Sequence, residues 1–310
     1  MGAIEKSPLM LSAGLLMQRY KNNDSYAQQM PKQGLIQELK QKAKSFRKDI
    51  IDLVYKAQSG HPGGSLSEID MLVGLYYHKL KVDPKNPQWE DRDRFVLSKG
   101  HASPGLYVVL ADKGFFQKSE LSGFRKINSM LQGHPELNTP GIDFAGGSLG
   151  QGICFAGGIA LALKLDKKDS KVYAMIGDGE SQEGAVWEAS MAAAFHKLDN
   201  LVAILDKNQV QETGKTKDVM DIGDAALKWK AFGWNVIEIN GHNMEEIVDA
   251  LDKASKSKNG KPTMIVSNTI KGKGVSFMEL NYRFHGKAPN EEEYKKAMEE
   301  IEKIDVNKFK

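Results

Sequence analysis

Regular patterning begins at Leu35. Apolar residues recur three or four apart at Leu35, Leu39, Ala43, Phe46, Ile50, Leu53/Val54 and Ala57, which predicts a long amphipathic helix. The pattern stops at Ser59-Gly60, where Gly60 is expected to take the left-handed conformation that closes helices. A second apolar helix is expected over 66–77, behind the glycine-rich turn His61-Pro62-Gly63-Gly64. The stretch 82–93, rich in proline and charge, reads as loop. Beyond it the period changes. Short apolar runs bounded by turn residues, at 94–97, 171–176, 200–205, 235–239 and 263–266, predict buried strands. Helical stretches at 150–165, 185–196, 221–232 and 244–255 lie between them. Strands alternating with helices predict an α/β protein, a parallel sheet with helices on both faces. Such sheets bind ligands at the carboxyl ends of their strands. The charged tail from Asn290 predicts a helix with a solvated face.

Composition narrows the picture without deciding it. The 310 residues, 41% hydrophobic and 27% charged, suit a folded chain of one large or two smaller domains. Lys plus Arg (43) nearly balances Asp plus Glu (40), so there is no electrostatic footprint for nucleic acid or a polybasic membrane anchor. A lone cysteine, Cys154, excludes an internal disulfide framework and cysteine-rich zinc sites and fits a reducing, cytoplasmic setting. Within an apolar helix, it is expected to be a small packed residue rather than a nucleophile. No apolar run reaches the roughly 18–20 residues that span a bilayer. The apolar run 9–17 follows Glu5 and Lys6 and lacks a clear small-residue cleavage site, so it reads as a short helical extension. Residues 18–34 read as a linker, and 35–310 as the folded domain.

The chemistry gathers at predicted strand ends. The strand at 171–176 runs into Gly177-Asp178-Gly179-Glu180, and the next ends in Leu205-Asp206-Lys207-Asn208. In a right-handed βαβ unit these strands lie close and point the same way, so Asp178 and Asn208 converge on one edge. A carboxylate, an amide oxygen and a backbone carbonyl make a hard-oxygen site suited to magnesium, which takes its remaining ligands from phosphates and water. The pair therefore points to a magnesium-bridged diphosphate. In isolation, Gly-Asp-Gly would read as a tight turn with Asp178 capping a helix. The segment 146–152, Gly-Gly-Ser-Leu-Gly-Gln-Gly, superficially matches a dinucleotide fingerprint, but no strand leads into it and no ribose-binding acid follows. Four of seven histidines, His61, His101, His134 and His285, sit in glycine-flanked turns. Near a diphosphate they suit a polyol or sugar, whose hydroxyls need donors, acceptors and proton shuttles. Their spacing lacks the short ligand pairs of a zinc site. His78, His196 and His242 read as structural or exposed.

These residues resemble transketolase. SGHPGG at 59–64, DRDRFVLSKGHASPGLY at 91–107, GHPE at 133–136, GSLGQG at 147–152, GDGESQEGAVWEA at 177–189 and LDNLVAILDKN at 198–208 carry the resemblance. Gly-Asp-Gly followed some thirty residues later by Asn is shared by many thiamine diphosphate enzymes, whereas the histidine turns are specific to transketolases. The resemblance implies the diphosphate-binding type of thiamine diphosphate fold, with thiamine diphosphate and Mg2+ as cofactors. Asp178, Asn208 and the Val210 carbonyl would then ligate the metal. Gly177, Gly179, Asn208 and His101 would meet the diphosphate, and Gly147, Ser148 and Leu149 would run beside the cofactor. It also implies that His61 and His285 bind substrate and assist proton transfer, with His285 touching the cofactor too. His134 would hold donor hydroxyls, and Glu183 would lie at a dimer interface coupling two active sites.

Length is where the chain departs from the family. Transketolases carry a diphosphate domain, a pyrimidine domain and a carboxyl-terminal domain, and this sequence ends just past the first. Missing with the rest are the glutamate that activates the aminopyrimidine and most of the sugar-phosphate pocket. The resemblance therefore implies the amino-terminal subunit of a split transketolase, working with a carboxyl-terminal partner chain on sugar phosphates, in an α2β2 assembly. The alternatives are another thiamine diphosphate enzyme subunit, deoxyxylulose-phosphate synthase-like or 2-oxo acid dehydrogenase α-like, or a non-catalytic relative. The histidine quartet separates the first reading from the other enzymes.

Overall fold

A computed structural model describes Lys32–Lys310, and residues Leu39–Lys310 form one compact unit. The extension expected over 9–17 lies outside the described residues, as does most of the linker over 18–34. The last three linker residues, Lys32, Gln33 and Gly34, instead form the first turn of α1 (Lys32–Ala57). Leu39, Ala43, Phe46, Ile50 and Val54 are buried along α1, as their spacing requires. The helix closes differently from expectation. Gln58, with φ 48°, takes the left-handed position, while Gly60 at φ 133° makes the next bend.

The second helix, α2 (Pro62–Gly74), starts earlier than its apolar run suggests. Pro62 occupies the first turn, where its fixed φ is preset and its missing N–H costs nothing. Gly63 and Gly64 therefore belong to the helix rather than to a turn before it. A β-carbon on Gly63 would come within 3.1 Å of both Lys271 Cγ and the Phe284 carbonyl, so this turn packs tightly on the segments that follow the last strand. Every residue of α2 is buried, which explains the absence of an amphipathic pattern. A π-turn, Leu75–Lys79, ends it.

Five strands follow: β1 (Arg94–Leu97), β2 (Val172–Gly177), β3 (Leu201–Lys207), β4 (Asn235–Asn240) and β5 (Thr263–Asn268). All pair in parallel in the order β1-β2-β3-β5-β4. The chain order of the predicted strands holds, and each carboxyl end stops within two residues of its prediction. Parallel strands need crossover helices: α3 (Ser103–Lys113), α4 (Gln151–Leu165), α5 (Gly184–Phe195), α6 (Ala225–Ala231) and α7 (Met244–Lys256). One sheet face carries Val172, Ala174, Ile176, Leu201, Ala203 and Leu205. It packs on Ile153, Ala156 and Ala160 of α4, Val186 and Ala193 of α5, and Trp229 of α6. The other face is covered by α7, which lies against β4, β5 and α2. The tail forms α8 (Glu291–Glu302), opened by a capping box between Asn290 and Glu293. It is more embedded than its charge suggests: Ala297 and Ile301 are buried, and Tyr294 stacks on Tyr55 of α1 at 4.1 Å.

Candidate functional site

The carboxyl ends of β1, β2, β3 and β5 open into one cavity of about 420 Å3. β2 and β3 are direct neighbours, with Gly177 opposite Asp206, so the residues just past them meet as the topology argument requires. Asp178, nearly buried, accepts from Gly179 N at 2.9 Å through Oδ1, and from Gln209 N at 2.7 Å and Thr216 Oγ1 at 3.2 Å through Oδ2. Asn208 Oδ1 accepts from Val210 N at 3.2 Å. The two side chains thus grip consecutive peptides of one turn. Asp178 does not cap α5, whose N-cap residue is Glu183. Burial, with Asp206 nearby, raises the Asp178 pKa. Among the described residues it forms no ion pair within hydrogen-bonding reach, so its charge calls for a cation. The third oxygen of the predicted set, Val210 O, accepts from the Lys271 ammonium at 2.9 Å. Positive charge is already stabilised on this turn.

Three histidines converge on the same cavity. The ring centroids of His61, His101 and His285 lie 5.1, 5.1 and 5.3 Å apart pairwise, and His134 lines the wall near Gly147. Burial is the main reason that all four have lowered pKa values. His61, further lowered by Arg125, falls to about 4. His285, beside Lys271, falls to about 3, and His101, with Lys99 next to it, lies well below the ordinary range. His134 is lowered too, with Arg125 adding to burial. Neutral imidazoles both donate and accept, which suits hydroxyl groups better than a cluster of cations would. His61 Nδ1 is buried without a partner among the described residues, so a polar atom in the cavity remains to be satisfied.

Of the other predicted residues, Gly147, Leu149, Gly177, Gly179, Glu183, Asn208 and Val210 line the cavity. Ser148 does not; it is exposed on the loop that leads into α4. Gly150 at the end of that loop has φ 81°, and a β-carbon there would meet Glu183 Cβ at 2.9 Å. Left-handed backbone and close approach both require glycine. Glu180 ties this loop to the sheet, accepting from Gly150 N at 2.8 Å, Gly177 N at 3.0 Å and the Ser98 hydroxyl. Cys154 is exposed, contrary to the packed position expected. It lies on the outward side of α4, whose apolar character does not all face the sheet. His242 is buried and structural, whereas His196 is exposed.

Sequence reasoning missed the cations. Lys99 is buried, with its ammonium 2.6 Å from Glu68 Oε2 and 2.7 Å from Asp206 Oδ2. Lys271, equally buried, donates to Val210 O and lies 2.7 Å from His285 Nδ1. Burial, and then Lys99, lowers its pKa to about 8. Both were within reach of the strand-end rule: Lys99 stands two residues before His101, and Lys271 three residues past β5. Together they bring positive charge to a wall of neutral histidines, and with the hard-oxygen turn they fit a metal-bridged diphosphate.

Comparison with known proteins agrees with this geometry. Residues 39–309 match the model of the transketolase thiamine diphosphate-binding domain. The chain is 42% identical over 266 residues to one of the apulose-4-phosphate transketolase subunits of Phocaeicola vulgatus, covering 86% of this chain and 94% of that protein. It is 45% identical over 267 residues to the 6-deoxy-6-sulfo-D-fructose transketolase subunit SqwG of a Clostridium species, covering 86% and 97%. Human transketolase is 40% identical over 258 residues, but the match covers 83% of this chain and 41% of that one. The crystal structure of Campylobacter jejuni transketolase superposes with a TM-score of 0.81 at 40% identity, over 87% of this chain and 43% of the other. The chain thus spans less than half the length of these single-chain enzymes. It belongs to the transketolase family, as that family's thiamine diphosphate-binding domain.

Proposed function

We propose that this chain is the amino-terminal subunit of a two-chain transketolase. With thiamine diphosphate and Mg2+ bound, it would move a two-carbon ketol group from a ketose phosphate to an aldose phosphate. The observation that carries the reading is one cavity uniting the Asp178–Asn208–Val210 turn, two buried lysines and four neutral histidines. Thiamine diphosphate, when bound, supplies the electron sink for the two-carbon fragment. Asp178 Oδ, Asn208 Oδ1 and Val210 O would hold the metal. Lys99 and Lys271 would neutralise the diphosphate, and His101 would donate a hydrogen bond to it, aided by the glycine backbone at 177 and 179. His61, His134 and His285 would orient donor hydroxyls and carry protons between them. With Lys271 donating to His285 Nδ1, the Nε2 of that ring is left to serve the substrate.

Two features support a partner chain. Relatives of matching length are named as transketolase subunits. α4 and α5, which pack on each other, also expose Phe155, Leu165, Met191 and Phe195, large apolar residues of the kind that a second chain covers. Glu183, exposed at the start of α5, would lie at that junction. The sugar is a phosphorylated or similarly anionic ketose, since the two named relatives act on a phosphate and a sulfonate sugar.

The test is calorimetry with thiamine diphosphate in excess Mg2+, followed by ketol transfer assays with and without a candidate partner chain. The isolated chain should bind weakly and transfer nothing, and the reconstituted pair should do both. Asp178→Ala should abolish magnesium-dependent binding. Full transfer by the chain alone would refute the split-subunit reading, and unchanged affinity in Asp178→Ala would refute the metal assignment.

A further inference from the structure

Behind the cavity wall lies a buried polar trio that lines no part of the cavity. Arg47, Asp70 and His242 are 1%, 3% and 4% exposed. Arg47 meets Asp70 in a two-pronged pair at 3.0 and 2.5 Å. Burial would raise the Asp70 pKa, but Arg47 and His242 hold it down to about 2. Asp70 Oδ2 lies 2.8 Å from His242 Nδ1. An ionised carboxylate only accepts, so Nδ1 carries the proton and donates. The other nitrogen, Nε2, accepts from Ile270 N at 2.9 Å. A single neutral tautomer satisfies both bonds. Three residues further on, Arg47 Nε donates to Lys273 O at 3.2 Å. The trio therefore holds the backbone on both sides of Lys271, whose side chain points the opposite way, into the cavity.

We propose that His242, backed by Asp70, is a positioning residue that fixes the turn after β5 and so sets the Lys271 ammonium at the diphosphate end of the cavity. The inference rests on the thiamine diphosphate reading above. A buried ion pair contributes little stability against an apolar replacement. What the Asp70–His242 pair supplies is direction: one imidazole orientation, aimed at one peptide N–H next to the functional lysine, as outer partners orient the ligands of a binding site. Truncating the ring would leave Ile270 N without its partner and Asp70 Oδ2 with Arg47 alone, and would loosen the lysine rather than remove it.

The test is a double-mutant cycle read by calorimetry with thiamine diphosphate in excess Mg2+ on the full-length chain, with folding checked by circular dichroism. His242→Ala should weaken binding about tenfold, equivalent to about 1.4 kcal/mol. His242→Gln, whose amide can donate to Asp70 and accept from Ile270 N, should restore affinity to within about threefold of wild type. In a Lys271→Met background, adding His242→Ala should change affinity less than about twofold, because the group it positions is gone. Amine labelling read by mass spectrometry should rise at Lys271 in His242→Ala and stay level at Lys99. Should His242→Ala not fold, His242→Asn, too short to bridge both partners, takes its place in the cycle. Unchanged affinity in a folded variant, or fully additive losses with Lys271→Met, would overturn the positioning role while leaving the cofactor reading intact. A wild-type chain that binds no thiamine diphosphate would overturn both.

Discussion

Glu68 offers a change whose sign follows from burial alone. Its carboxyl lies in α2, 1% exposed, against the Lys99 ammonium. Burial is the larger influence and outweighs the attraction of Lys99, lifting the pKa from 4.5 to about 8. Between those values the folded chain holds a proton that the unfolded chain has released. The stabilisation is fully present below about pH 4.5, declines as pH rises, and is lost above about pH 8. The slope is about 1.4 kcal/mol per pH unit, so the whole interval is worth roughly 4–5 kcal/mol. Glu68→Gln keeps the shape and an oxygen facing Lys99 but cannot titrate. Urea unfolding of both chains at steps from about pH 5 to 9 isolates the effect as the difference between two profiles. Relative to the variant, the wild type should lose about 1.4 kcal/mol per unit between about pH 5 and 7.5. Parallel profiles would refute the reasoning, since they would mean that the folded protein holds Glu68 ionised throughout.

Three further outcomes follow from other parts of the molecule. Lys99→Met strands Asp206, 2% exposed, without its ammonium partner, and should cost about 3–5 kcal/mol in chemical denaturation; a loss under about 1 kcal/mol would show that Asp206 takes up a proton instead. Gly150→Ala forces a side chain into φ 81° and against Glu183. It should cost about 1–3 kcal/mol, visible as a lower melting temperature, and weaken cofactor binding by displacing the loop at 147–149. Replacing Phe195, 80% exposed, and Met191, 55% exposed, with glutamate should leave the melting temperature of the isolated chain within about 2 °C. The same pair should abolish association with a partner in analytical ultracentrifugation, and undiminished association would place the interface elsewhere.

Much of this architecture was legible because parallel strands announce themselves. Runs such as Val172–Gly177, buried on both faces, read as continuous apolar segments, and the strand-end rule then located Asp178, Asn208 and His101. What stayed hidden had a consistent physical character. The start of α2 was misplaced because glycines inside a fully buried helical turn look like loop glycines. Gly63 packs closely on Lys271 and Phe284 and Gly64 on Ala102, neighbours that only the folded chain brings near. Gln58 rather than Gly60 closes α1 because glycine propensity marks a bend without saying which residue takes the left-handed position. Lys99 and Lys271 were passed over because a lysine ordinarily signals surface. Nothing local distinguishes one whose partners, Glu68 and Asp206 or Val210 and His285, lie far along the chain.

That last omission changes how the site works. The sequence offers the four histidines as donors, acceptors and proton shuttles, and burial, reinforced by nearby lysines or Arg125, lowers the pKa of each. The division of labour is therefore between charge and hydrogen bonding. Positive charge at neutral pH comes from two lysines, each anchored by oxygens, and the imidazoles stay neutral chiefly because they are buried, with nearby cations adding to the effect. Protonating a histidine here would work against Lys99 and Lys271 and would remove an acceptor that hydroxyls need. The same arrangement explains the buried acids. Asp206 fixes Lys99 while Glu68 keeps its proton near neutral pH, so one ionised carboxylate rather than two faces the ammonium. Asp178, raised by burial, has no ammonium within hydrogen-bonding distance among the described residues, and its place on one turn with Asn208 Oδ1 and Val210 O suits it to a divalent ion.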